Sequence, residues 1–295
     1  MSEFRVGVFD QFREIATVDG ASLAAPVVVS ETTATGYSAA ALVDPDLTTI
    51  WRSDAAVTNK ELIFDLINLT GGFNRDFIAL IDPYISDAPG LFGAKNVASL
   101  TVYNGAAPAG PWTLIATVSQ TELYGALVHG RVVIAKYPAR EVPVHDRYLR
   151  LLWTVTGAVQ VGASKIVLDE ALTGDEIGYP AESPAVDYID RSIRAATESG
   201  AMRTYHRQMA RAVTISWEYA NSLDMLLPLN RQTFSGDNDY LMIFLDWSNE
   251  RSALGQHELT IPARIDGNIQ YRFNDDHSAT VRLSNSYAVR FVEWL

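Results

Sequence analysis

Hard oxygen donors are the first candidates for chemistry in this sequence. Asp44, Asp46 and Thr49 fall within one short stretch, DPDLTT. Carboxylate and hydroxyl oxygens grouped in this way suit a calcium ion. The same side chains equally serve an Asx-turn, in which a carboxylate caps its own loop and no ion is held. Asn274-Asp275-Asp276-His277 is the densest polar cluster, and a solvated hairpin turn accounts for it. Tyr205-His206-Arg207 reads as a polar patch on a strand. His129, His145, His206, His257 and His277 stand apart, none at metal-ligand spacing. His257-Glu258 lacks the second histidine of an H-E-x-x-H pair, and no glycine-rich phosphate loop or G-x-S-x-G elbow occurs. The chain has no cysteine, which removes thiol nucleophiles, disulfides and cysteine-bound metals together. Asn68-Leu69-Thr70 matches a glycosylation sequon, a short match that chance readily supplies. Carboxylate pairs brought together only by folding leave no mark in a sequence. Nothing positive points to an enzyme.

The elements that must position these residues are strands. Short apolar runs of four to eight residues recur up to about residue 175, separated by Gly, Pro, Asn, Asp and Ser. They are Ala25–Ser30, Glu61–Leu66, Phe77–Ile81, Ala98–Tyr103, Thr113–Val118, Arg131–Ala135, Tyr148–Val155 and Lys165–Leu168. This rhythm predicts a sandwich or barrel. Leu62, Phe64, Leu100, Leu114, Leu149, Leu151 and Ile166 are the expected core. Gly174–Pro184 (GDEIGYPAESP) is rich in Gly, Pro and acids. It divides the chain into domains at 1–175 and 185–295, with 176–184 as linker.

Beyond the linker, Asp187–Glu198 and Ala201–Tyr219 read as a long hairpin turning at Ser199-Gly200. Val213, Ile215, Trp217 and Tyr219 alternate with Thr214, Ser216 and Glu218, a period of two. The hairpin carries Arg191, Arg194, Arg203, Arg207 and Arg211. Leu223, Leu226 and Leu227 fall on helical spacing, which predicts one short helix over 221–233. Tyr240–Trp247, Leu259–Arg264, Asn268–Asn274 and Ala279–Ser284 read as further strands. The expected fold class is therefore mostly β, with a sandwich followed by a β-rich domain holding one short helix.

Composition bounds the partners. Against 23 Lys+Arg stand 35 Asp+Glu, a net charge of −12 over 295 residues. Such a balance argues against general or sequence-specific nucleic-acid binding and against docking on anionic lipid. The apolar runs are far shorter than the roughly 20 residues of a membrane span. The charged N-terminal stretch does not read as a signal peptide. A protein that inserts in no membrane is the expectation.

Two resemblances sharpen this reading. Residues 40–66, AALVDPDLTTIWRSDAAVTNKELIFDL, resemble the discoidin or galactose-binding-like module, through Asp44, Asp46, Thr49, Trp51 and Asp65-Leu66. Val97–Tyr103, Gly110–Ala116, Arg147–Leu151 and Ile166–Glu170 follow in that family's order. Pro45 departs from its usual Asp-Gly-Asp. The resemblance implies a jelly-roll-like β-sandwich. It implies a structural Ca2+ held by Asp44, Asp46, Thr49 and, from the closing strand, Glu170. It also implies glycan contact through loop-tip aromatics, for which Tyr37, Phe73, Tyr84, Phe92 and Tyr124 are the candidates. An ordinary packing role is the alternative at each. Trp51 reads as core.

Residues 185–295 resemble, on looser motifs, the tail-tube-like domains of bacteriophage distal-tail and baseplate proteins. Arg203–Glu218, Leu227–Arg231 and Tyr240–Asp246 carry that similarity. It implies a virion structural protein, made in the host cytoplasm and assembled as a homo-oligomeric ring, a hexamer. Its partners would be tail-tube and tail-hub proteins, and the outward sandwich would meet a host-surface glycan. The alternative is a carbohydrate-binding module of a glycan-processing system. A hydrolase with an unrecognised catalytic second domain is a third reading.

Overall fold

The structure is a computed structural model. It describes residues 4–7, 27–43, 49–66, 75–86, 97–123, 132–141, 147–173, 180, 184–190, 193–196, 202–205, 209–220, 241–247, 260–265, 270–273 and 285–293. The predicted helix over 221–233 and the predicted strand Ala279–Ser284 lie outside them.

The chain is mostly β. Among the described residues twenty strands follow in order: β1 (Arg5–Gly7), β2 (Val27–Glu31), β3 (Trp51–Arg52), β4 (Asn59–Asp65), β5 (Arg75–Ile81), β6 (Tyr84–Ile85), β7 (Val97–Gly105), β8 (Trp112–Ser119), β9 (Val132–Glu141), β10 (Tyr148–Val155), β11 (Val161–Ala163), β12 (Lys165–Asp169), β13 (Ala185–Ile189), β14 (Ile193–Ala196), β15 (Met202–Tyr205), β16 (Ala210–Ala220), β17 (Leu241–Phe244), β18 (Thr260–Ile265), β19 (Gln270–Phe273) and β20 (Asn285–Glu293). A 3-10 turn spans Ala39–Leu42, and the Ser38 hydroxyl caps it by accepting from the Ala40 N–H.

Two compact units divide the chain at Ala171/Leu172. The first also takes in Asp246–Thr260, and the second also takes in Glu3–Val6.

In the first unit a five-stranded antiparallel sheet, β2-β4-β10-β7-β8, faces a three-stranded one, β12-β5-β9. Strand alternation explains how they meet. Leu62 and Phe64 on β4, Leu149 and Leu151 on β10, and Leu100 and Val102 on β7 point inward. They pack against Ile78, Leu80, Val133, Ala135, Ile166 and Leu168. Six of the seven expected core residues are buried there.

Leu114 is not: it is 56 % exposed. A bulge is the cause. Val102 pairs with Ala116 but Tyr103 pairs with Leu114, so Ile115 is the extra residue. That one-residue slip turns Leu114 from the core face to the outer face, beside Tyr103.

A third, small sheet, β3-β11-β6, closes one end of this unit. Trp51 sends its indole inward from β3, fully buried and 5.2 Å from the Trp153 ring.

In the second unit the sheet order is β1-β17-β18-β20-β16-β13, with β19 also on β20. The long hairpin is present. β13 pairs with β16 from Ala185↔Thr214 to Ile189↔Ala210, and β14 continues on β15 from Ile193↔Tyr205 to Ala196↔Met202. Arg211 is not available to a neighbouring subunit, as an inter-subunit reading of the hairpin arginines requires. Its guanidinium is buried 2.5 Å from Glu293, and its own N–H donates to the same carboxylate at 2.9 Å. The side chains of Arg191, Arg194, Arg203 and Arg207 lie outside the described ones.

Candidate functional site

The small sheet β3-β11-β6 builds the site from its middle strand outward. Gly162 on β11 pairs with Arg52 on one side and with Tyr84 on the other. Having no side chain, Gly162 lets its neighbours approach closely. A Cβ there would come 2.3 Å from the Trp51 carbonyl oxygen and 3.3 Å from Cγ of Arg52. Arg52 lies beside this glycine, its guanidinium carbon 4.4 Å from the Tyr84 ring centroid. Tyr37 covers it from a second direction at 4.8 Å. Cation–π contacts of this length hold a guanidinium in place without neutralising it. All three side chains are half-buried.

Each member is fixed by bonds behind it. The Ala34–Tyr37 turn closes through the Tyr37 N–H on the Ala34 carbonyl at 3.0 Å, with Gly36 supplying the left-handed φ of +88°. Glu31 braces this loop, accepting from the Thr33 hydroxyl at 2.6 Å and the Ala39 N–H at 2.8 Å. The Thr33 hydroxyl in turn accepts from the Trp51 indole at 2.9 Å. Ser53 ties β3 to β11 by donating from its N–H to Val161 and accepting the Val161 N–H on its hydroxyl. Beyond Ser53, the buried Lys60 ammonium donates to the carbonyls of Asp54 and Val57. Burial lowers the affinity of Lys60 for its proton, and the nearby Asp54 charge partly offsets this. On the far side, Ser86 and Gln160 exchange two hydrogen bonds that seat β6 against the turn into β11.

Arg52 differs from other arginines of the fold. Arg147 is held bidentately by Asp65 at 2.7 and 2.6 Å, and Arg150 by Glu61 at 2.5 Å. Among the described residues Arg52 has no carboxylate and no hydrogen-bond acceptor for its side chain. Its Nε is sealed from solvent without a partner.

Of the five aromatics expected at a glycan, the structure brings together Tyr37 and Tyr84. Phe73, Phe92 and Tyr124 lie outside the described residues. Arg52 was not among the expected site residues. Its one sequence signal is its place after Trp51: if Trp51 faces the core, strand alternation turns Arg52 outward.

Of the candidate calcium ligands, Thr49 and Glu170 are among the described residues. Asp44 and Asp46 lie outside the described residues. The Thr49 hydroxyl accepts from the Lys165 ammonium at 3.2 Å, and the same ammonium donates to the Ala41 carbonyl at 2.5 Å. Lys165 is 1 % exposed. Glu170 stands five residues further on, about 17 Å along an extended chain. An ammonium thus donates to the Thr49 hydroxyl. Among the described residues no group of three or more His, Cys, Asp or Glu could hold a metal. No helix there is long and apolar enough to cross a membrane.

No protein-family model matches the chain, and no curated protein does. Several solved structures are similar over about half of it. Carbohydrate-binding module 32-3 of a family 31 glycoside hydrolase from Clostridium perfringens is 17 % identical, over 48 % of this chain and 88 % of that one, at a TM-score of 0.35. Chitosan-binding module 1 of a Paenibacillus sp. IK-5 chitosanase/glucanase is 16 % identical over 49 % and 92 %, at 0.33. The GH29 fucosidase E1_10125 of Ruminococcus gnavus is 14 % identical, with 48 % of this chain matched, at 0.34. This chain spans 24 % of that fucosidase's length. At TM-scores below 0.5, none of these likenesses bears on what this chain binds.

Proposed function

We propose that the first unit is a carbohydrate-binding module, with its site at Tyr37, Arg52 and Tyr84. The observation that carries this is the arginine held between two tyrosine rings at the edge of a sandwich. Aromatic faces offer the apolar surface that a sugar's C–H groups need. A guanidinium offers donors to its hydroxyls. Few polar groups among aromatic walls is the usual make-up of a small-molecule site. The order of motifs from Asp44 to Glu170 resembles a family in which this role is common. The test is a glycan array probed with the labelled full chain and with Tyr84→Ala. Binding to a defined set of glycans by the natural chain, lost in the variant while its melting temperature holds, supports the reading. Absence of binding to every glycan overturns it.

A second reading concerns the second unit. Among the described residues β14 and β15 form a sheet of their own, and two-stranded hairpins are marginal alone in water. Edge strand β13 carries Tyr188 at 69 % exposure. Such edges favour pairing with another copy, the basis of a phage tail-ring subunit.

A further inference from the structure

We infer that the Tyr37–Arg52–Tyr84 site selects an acidic sugar, one that presents a carboxylate to Arg52. This rests on the carbohydrate-binding reading and names the class of sugar. The reason is the unspent charge. Every carboxylate described in the surrounding loops is engaged elsewhere. Glu31 takes Thr33 and Ala39, Asp54 takes the Ala56 N–H at 2.9 Å, and Asp82 takes the Ser164 hydroxyl at 3.2 Å. Among the described residues Arg52 is left with two ring faces and no anion. The rings hold the guanidinium but offer no acceptor, so its hydrogen-bonding capacity stays open to a ligand. A planar fork of N–H donors matches a carboxylate bidentately, and such charge-assisted pairs are about twice as strong as neutral ones. A neutral sugar would satisfy the donors and leave the charge unanswered.

The setting also favours a short acidic group over a polyanion. The whole chain carries −12, so extended negative polymers meet long-range repulsion while a single carboxylate at Arg52 meets a local attraction. Pre-organisation adds to this. Gly162 lets the strands around Arg52 approach closely, and both tyrosines are braced by backbone bonds, so little order is lost on binding.

The experiment is a titration of the full chain, followed by NMR or calorimetry. The probes are glucuronic acid, N-acetylneuraminic acid, their methyl esters, galactose and galactose 6-sulfate. At least one free acid should bind ten-fold or more tightly than its methyl ester and than galactose. Arg52→Gln should abolish that difference, and Arg52→Lys should restore part of it. Melting temperatures verify that each variant is folded. Equal binding of acid, ester and galactose overturns the selectivity and leaves the carbohydrate reading standing. Binding of galactose 6-sulfate alone shows an oxyanion site that is not for carboxylates and overturns it as stated. Binding of no probe, together with an empty glycan array, overturns both.

Discussion

Gly162 shows how much of the site depends on an atom that is missing. The strands on either side approach so closely that a methyl group would meet the Trp51 carbonyl at 2.3 Å. Real Cβ atoms do not sit there, so β3 must move away from β11. Gly162→Ala should therefore lower the melting temperature of the first unit and weaken sugar binding together. A variant of unchanged stability that binds normally would show that the close approach has no role. Lys165 makes a second residue-scale prediction. Its ammonium donates to the Ala41 carbonyl and to Thr49, one of the expected calcium ligands. The melting temperature should be the same in millimolar calcium and in chelator. Lys165→Met, which removes the donor shared by the part-buried Ala41 carbonyl and Thr49 hydroxyl, should lower it. A calcium-dependent rise in the natural chain would return Thr49 to a metal. Neither residue was legible in the sequence as part of a site. Gly162 matters only through the strands it pairs with, and Lys165 looked like an ordinary strand-end lysine.

At the scale of elements, the strands were the legible part. Tyr148–Val155 was read with the bounds observed because it is a short run of mostly apolar residues with turn residues on either side. The long hairpin after residue 185 was legible for the same reason. Leu114 was misread because one bulged residue reverses the faces of a strand, and a bulge has no signature in a single sequence. The partner of Arg211 was hidden by distance along the chain, since Glu293 lies 82 positions away. That pair clamps β16 to β20 where both are buried. Breaking a buried pair by removing one partner costs about 3–5 kcal/mol. Glu293→Gln should thus unfold the second unit at markedly lower denaturant. Arg211→Met with Glu293→Leu should recover much of the loss. Equal destabilisation by the single and double changes would mean that the pair does not act as a unit.

Across the whole molecule, each unit has its own question. For the second it is assembly. The two-stranded β14–β15 sheet and the β13 edge should pair between copies, giving a closed ring. Mass photometry of the full chain, alone and after mixing with tail-tube protein, measures this. A defined oligomer that Tyr188→Lys disperses is the expected outcome. A monomer under both conditions contradicts it. The sequence supplied the resemblance behind this expectation, but no sequence pattern states which edges another copy will cover.

For the first unit the question is where a sugar sits. Tyr37 and Tyr84 were named from the sequence as candidate rings, although Tyr84 stands on strand β6 and not at a loop tip; the arginine between them was not named, because β3, β11 and β6 meet only in the fold. The most direct test is a crystal structure of the chain with the oligosaccharide that binds best. The account predicts a pyranose ring against Tyr37 or Tyr84, with an oxygen of the sugar within hydrogen-bond distance of an Arg52 Nη atom. A sugar bound elsewhere, such as on the outer face of the five-stranded sheet near Tyr103 and Trp112, with Arg52 untouched, would contradict it.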